Sequence, residues 1–149
     1  MVTLHPPSAV EAERGEKLLH VIPYIGDAAD PLPLQGDGVA FAGVAATLAE
    51  TIRTASNGWA DRHQKDRPGG WEMRVDLIQS RAEVNHGRIT VELAARVTLN
   101  ATIGQVYLAQ THGYCKRTDV MASDPTAAVY ACMEGMAHDL AGWLEGVRP

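Results

Sequence analysis

The most regular feature of the chain is strict alternation of apolar and polar residues. In "WEMRVDL" (71–77), Trp71, Met73, Val75 and Leu77 alternate with Glu72, Arg74 and Asp76. In "RITVELAARVTLN" (88–100), Ile89, Val91, Leu93, Ala95, Val97 and Leu99 alternate with Thr90, Glu92, Ala94, Arg96 and Thr98. A period of two sends successive side chains to opposite faces, so each segment predicts a strand with one buried and one wetted face. "VNHGR" (84–88) suits a hairpin turn, with Gly87 available for positive φ. "NATIGQ" (100–105) suits a second turn, after which "QVYLAQTHGY" (105–114) returns as a third strand. The prediction is an antiparallel meander over residues 71 to 115.

Two other segments change period. In "VAFAGVAATLAETIRTA" (39–55), Phe41, Val44, Leu48, Ile52 and Ala55 recur at spacings of three and four. That is the apolar stripe of a helix, with Asp37 placed to cap it and Glu50 and Arg53 on its polar side. A second helix starts at Asp124 as N-cap and Pro125 at the first helical position, where a missing N–H costs nothing. Its buried stripe is Val129, Met133, Met136, Leu140 and Trp143. Gly135 and Gly142 each weaken it by about 1 kcal/mol relative to Ala and are candidates for close approach to the sheet or the other helix.

Near the start, "KLLHVIPYIG" (17–26) is a short apolar run that suits a strand. Pro23 lacks an N–H, which places that strand at an edge or ends it there. Residues 27–38 and 56–70 read as loops from their Gly, Pro and polar content. Residues 1–16 read as an amino-terminal arm or tether and 17–149 as one domain. The fold expected is α+β in the order β-α-β-β-β-α. A four-stranded sheet, its last three strands an antiparallel meander, carries two helices on one face, which buries every apolar stripe. Met73, Val75, Leu77, Ile89, Val91, Leu93, Val97 and Leu99 should then share a core with Val44, Leu48, Ile52, Met133, Met136 and Leu140.

Composition narrows the function more than it narrows the fold. The 149 residues are 46% hydrophobic and 21% charged, enough for one ordinary core without metal support. With one Phe against three Trp and four Tyr, that core is built mainly from aliphatic residues and Ala. A net charge of −5 argues against nucleic acid as the main partner, since neutralising phosphates needs surplus Lys and Arg. No apolar run approaches the ~20 residues a spanning helix needs. The sequence as given has no signal peptide, which leaves both a cytoplasmic protein and an exported domain open.

The two cysteines, Cys115 and Cys132, admit three roles. A zinc site would need His112 and His138 to converge with them, and the spacing from Cys132 to His138 is not a usual ligand spacing. A nucleophile at Cys115 would gain from Lys116 and Arg117 beside it, but has no evident orienting group. A staple needs only that the end of the last strand and the second turn of the final helix come together. Such a bridge contributes roughly 3 kcal/mol and implies an oxidising compartment. Against it stands the reading of two unpaired, buried small apolar side chains.

His5, His20, His63, His86, His112 and His138 are scattered, and no HExxH motif, Ser–His–Asp order or phosphate-binding Gly loop appears. No catalytic, cofactor-binding or metal residues are therefore assigned. Trp59 lies in a polar segment with Arg62, His63 and Arg67; these four, with the loops 27–38 and 56–70 and the outer sheet face, are the candidate contact surface.

From Ala40 to Val147 the chain resembles the soluble domains of bacterial ABC-type transport auxiliary lipoproteins and related small outer-membrane lipoproteins. The segments that carry the resemblance are "AATLAETIRTA", "WEMRVDLIQSRAEVNHGRITVELAARVTL", "GQVYLAQTHGY" and "DPTAAVYACMEGMAHDLAGWL". It implies a sheet with two helices and a lipid anchor on an amino-terminal Cys. It also implies service to an envelope transport or assembly machine, with no catalytic residues to carry over. The cysteine pair is no part of it, and the sequence shows no lipobox cysteine. The expectation is a non-enzymatic periplasmic accessory domain with protein partners in the cell envelope, attached to a membrane only through a lipid tether outside this chain, and capable of forming a homo-oligomer. Two alternatives stand beside it: a small-molecule binder or small hydrolase with a pocket between helices and sheet, and a cytoplasmic oligomer-forming module.

Overall fold

In the computed structural model the residues described are 1–5, 18–121 and 124–148. The expected arm therefore falls largely outside them, apart from residues 1–5. The elements are β1 (Val2–Thr3), β2 (Leu19–Ile25), β3 (Leu32–Gln35), β4 (Val39–Ala42), α1 (Val44–Arg62), β5 (Trp71–Asn85), β6 (Arg88–Ala101), β7 (Val106–Val120) and α2 (Thr126–Leu144). A single 3₁₀ turn, Ile103–Gln105, joins β6 to β7.

Among the described residues the architecture is α+β with two helices, as the periodicities predict, but the sheet has seven strands, not four. Its order is β1-β4-β3-β5-β6-β7, with β2 also paired to β5. The meander is where it was expected. β5 and β6 pair antiparallel from Trp71↔Ala101 to Asn85↔Arg88, and the turn between them holds His86 and Gly87 at φ 52° and 72°. Two consecutive positive φ values give the turn the twist that a two-residue hairpin needs.

The three extra strands come from segments read otherwise: β1 from the arm, β3 from the loop 27–38 and β4 from the expected helix start. Long β5 has two partners end to end on one side. Its first half pairs parallel with β2, from Leu19↔Trp71 to Ile25↔Leu77, and its second half with β3 at Leu34↔Ala82 and Gln35↔Glu83. The register slips between Leu77 and Gln79, at the point of handover. Ser80 ties the crossing chain down there: its hydroxyl accepts from the Ala29 N–H (2.9 Å) and donates to the Ala29 carbonyl (2.7 Å). β3 falls inside the segment read as loop, and its Leu32 and Leu34 are both buried. β4 was read as the first turn of the helix because Phe41 fits both periods.

The helix begins at Val44, and Asp30 caps it in place of Asp37. The Asp30 carboxylate accepts from the N–H groups of Gly43, Val44 and Ala45 at 3.0–3.3 Å. Three orphan donors of the first turn are thereby satisfied from a distant loop. Asp37 instead sits in the β3–β4 turn, its N–H donating to the Leu34 carbonyl. α1 also runs on to Arg62, through the first half of the segment expected as a loop.

One core joins both helices to the sheet, and every residue of the predicted core set is buried in it. α2 uses Val129, Met133, Met136 and Leu140 as expected. Its last turn buries Leu144, while Trp143 is only half-buried. Gly135 and Gly142 face open space, so neither marks a close approach. The close approach is on the strand: a Cβ at Gly113 would meet Met136 at 2.9 Å, so α2 lies directly over β7. Residues 1–5 join the fold rather than standing off it. β1 pairs with β4, Leu4 is buried, and the His5 N–H donates to the Tyr130 hydroxyl at 2.9 Å. Among the described residues no helix is long and apolar enough to cross a membrane.

Candidate functional site

Cys115 and Cys132 are bonded to each other, with Cα atoms 5.6 Å apart. The strand does not end at Cys115, as was expected. β7 continues to Val120, and Cys115 lies opposite Leu93 in mid-strand. The bond forms because α2 crosses over β7, not because the helix meets a strand end. Cys132 is fully buried in the helix stripe beside Met133. Neither sulfur carries a thiol, so the nucleophile reading is closed. The four residues weighed as zinc ligands also stand apart. His112 pairs with Arg96 on the opposite sheet face from Cys115, and His138 is on the exposed side of α2.

The candidate contact residues lie at the corner between α1 and β5, and the structure divides them. Trp59 is 2% exposed and belongs to the core, its ring 4.7 Å from Trp71. It leaves the contact surface: α1 continues past residue 55 and turns position 59 inward, the same side as Ile52 and Ser56. Arg62 is exposed and ion-paired with Glu145. His63 is half-buried, 5.0 Å from the Trp59 ring, with Nδ1 2.8 Å from the Asp66 carboxylate. Arg67 is partly buried and lines a small hollow of about 210 Å³ with Asp66, Gly69, Ala101 and Ile103. Arg62, His63 and Arg67 therefore mark a charged corner with an aromatic floor.

The outer sheet face is the larger functional candidate. The alternating polar residues of β5 and β6 all point there, and the register sets His20 beside Glu72, Tyr24 beside Asp76, and Arg96 between Asp76 and His112. Their ion pairs run along the strands, and hydrogen bonds link them across. Arg74 Nε donates to both Asp76 oxygens at 3.1 Å while its guanidinium lies 3.8 Å above the Tyr24 ring. Glu92 accepts from Gln79 at 3.1 Å and from the Tyr114 hydroxyl at 2.5 Å. That donated hydrogen bond, with lesser help from desolvation and the Glu92 charge, raises the Tyr114 pKa above the usual phenol value. Tyr107 (61% exposed) and Tyr114 (54%) give this face aromatic surface among charges. Tyr and Arg are the residues over-represented at protein contacts. None of Tyr24, Tyr107 and Tyr114 is among the contact residues read from the sequence, and no alternation marks β7.

A groove of about 620 Å³ runs between the two helices. Thr47, Thr51 and Thr54 of α1 form one wall and Tyr130, Glu134 and His138 of α2 the other. The expected pocket was between helices and sheet, where the core is closed.

No family model matches the chain, and no curated protein matches it. Solved structures do. A Xanthomonas campestris protein of the family DUF330 shares 14% identity over 85% of this chain and 82% of its own, with a TM-score of 0.54. An uncharacterised protein shares 13% identity over 97% and 96%, with a TM-score of 0.53. A candidate lipoprotein from Caulobacter crescentus shares 16% identity over 93% and 97%, with a TM-score of 0.48. The first two place this chain in the same fold.

Proposed function

We propose that this chain is a non-enzymatic accessory domain of the cell envelope, exposed to an oxidising compartment and acting by contact with other proteins. Its functional analogues on this reading are the ABC-type transport auxiliary lipoproteins that the sequence resembles. The observation that carries the reading is the wetted face of β5, β6 and β7. With β2 beside them it is a broad surface on which Tyr24, Tyr107 and Tyr114 stand among ion pairs. Rigid aromatic and Arg groups lose little entropy when a partner covers them, which suits such a face for docking. The Arg62, His63 and Arg67 corner and residues 27–38 extend the contact surface. The Cys115–Cys132 bond supports the compartment, because glutathione keeps thiols reduced in an ordinary cytosol.

The test is site-specific photo-crosslinking in the native host, with the probe placed at Arg96 or Gln110 on the sheet face and at Ala46 on α1 as control. Discrete crosslinked bands from the sheet positions alone are expected. Equal, weak labelling from all three positions would sink the contact reading. Trapping the cells with an alkylating agent tests the compartment: both cysteines should escape alkylation until reduced.

A small-molecule site is the second reading, and the groove between α1 and α2 favours it. Three hydroxyls face a carboxylate, an imidazole and a phenol there, a lining suited to a small polar ligand.

A further inference from the structure

The two ends of the sheet are built differently. At one end β1 is two residues long, and β2, the other strand with a single partner, contains Pro23. Short strands and proline are common ways of preventing a sheet edge from pairing. The opposite end is β7, fifteen residues long and without proline. Among the described residues it pairs only with β6, and one whole edge of its backbone is left without a strand partner. Val106, Tyr107, Tyr114 and Val120, all exposed, lie on it. Its charged residues, Lys116, Arg117 and Asp119, are confined to the last third, so residues 106–115 carry no formal charge. A long, uncharged, partly apolar edge is the kind of strand that recruits another.

We propose that β7 is the interface through which a second copy of this chain extends the sheet, antiparallel about a two-fold axis at Gly113. The uncharged run 106–115 tolerates its own reversed copy, and charge selects the direction. Parallel, in-register pairing would set Lys116 on Lys116 and Arg117 on Arg117, a repulsive arrangement. The antiparallel register centred on Gly113 sets Lys116 opposite Gln110 of the second copy, Arg117 opposite Ala109 and Thr111 opposite Cys115. On the outer face it pairs His112 with Tyr114 twice, once on each side of the axis. Cross-strand pairs of this aromatic type stabilise a ladder. A two-fold interface is self-complementary by symmetry, so one strand that tolerates its own reversed sequence suffices. The helix layer also suits it: Met136 and Leu140 cover Gly113, so the inner face stays sealed up to the new junction. The inference stands apart from the contact reading, since it needs neither a foreign partner nor a particular compartment.

The experiment is light scattering on the oxidised full chain across a wide concentration range, with two double variants, H112K/Y114K and H112E/Y114E. Both positions are exposed, and circular dichroism reports whether each variant keeps its fold. The wild type should reach twice the chain mass. Each variant alone should stay at one chain mass, because like charges then face each other across the axis. An equal mixture of the two should return to twice the chain mass. Hydrogen exchange on the unmodified chain gives a second readout: β7 amides should become protected as concentration rises, while β2 amides do not change. A wild type that stays monomeric at every concentration overturns the proposal, even if β7 pairs with a strand of another protein. So does a dimer that survives both substitutions, or a mixture that fails to reassociate.

Discussion

Single residues set several of the fold's boundaries by what they cannot do elsewhere. Gly70 is the clearest. Its φ is +74°, and an added Cβ would lie 2.3 Å from the Leu18 carbonyl oxygen, the same oxygen that accepts from the Trp71 N–H. The start of β2 and the start of β5 are thus pressed together through a position with no side chain. Gly70→Ala should cost more than the roughly 1–3 kcal/mol of a strained left-handed residue, because the backbone contact must also open. Urea denaturation measures this, and an unchanged midpoint would contradict the packing described. Tyr114 offers a titration. Because its folded pKa is raised, its hydrogen bond to Glu92 favours the folded state fully below the ordinary phenol pKa. That contribution fades as pH climbs through the raised value. Ultraviolet titration should find one tyrosine ionising above the usual phenol range, and Glu92→Gln should lower it. A titration curve unaltered by that substitution would show the bond is not made in solution.

At the scale of elements, the disulfide pins α2 to the edge strand, while the rest of the α2 contact is apolar. Removing it with Cys115→Ser and Cys132→Ser together should cost roughly 3 kcal/mol, the value for closing a loop of this size in the unfolded chain. The same loss should follow reduction of the wild type, read as a fall in the urea midpoint on adding reductant. Equal stability with and without reductant would mean the bond is absent from the native protein. α1 is organised in the opposite way. Its start is held by the Asp30 carboxylate from a loop, and its polar side carries Arg53, 1% exposed and ion-paired with Glu50 at 2.8 Å. A charge nearly excluded from water on the side expected to be wetted shows how much of α1 the rest of the chain covers.

At the scale of the whole molecule, Leu93 stands at the centre of the packing. It is fully buried on β6, the strand flanked by β5 and β7, and lies directly opposite Cys115. Leu93→Ala should cost about 2–5 kcal/mol, the range for opening a cavity in a well-packed core. A loss under 1 kcal/mol would mean the helices close over the gap and that this part of the core is loosely packed. Among the described residues the sheet it anchors has one face sealed by helices and one face open, and the proposed docking face and pairing edge lie on the open side and its free border.

What the amino-acid order determined by itself was whatever rests on local periodicity. The alternation of β5 and β6, the His86–Gly87 turn and the stripes of both helices are each consequences of neighbours a few residues apart. The core set read from them is the core observed. Local order could not settle which of two periods Phe41 obeys, because the distant carboxylate of Asp30 decides where α1 begins. Nor could it find β3, whose four residues are too few to show a pattern and form a strand only because β5 and β4 lie beside them. β7 hid its length for a related reason: as an edge strand under one helix, its side chains answer to no simple alternation of burial. The candidate site divided along the same line. The two cysteines were legible as a pair, but their meeting in mid-strand, the inward turn of Trp59 and the open edge of β7 were decided by how helix crosses sheet. Those are contacts between residues far apart in the chain, and only the tertiary structure brings them together.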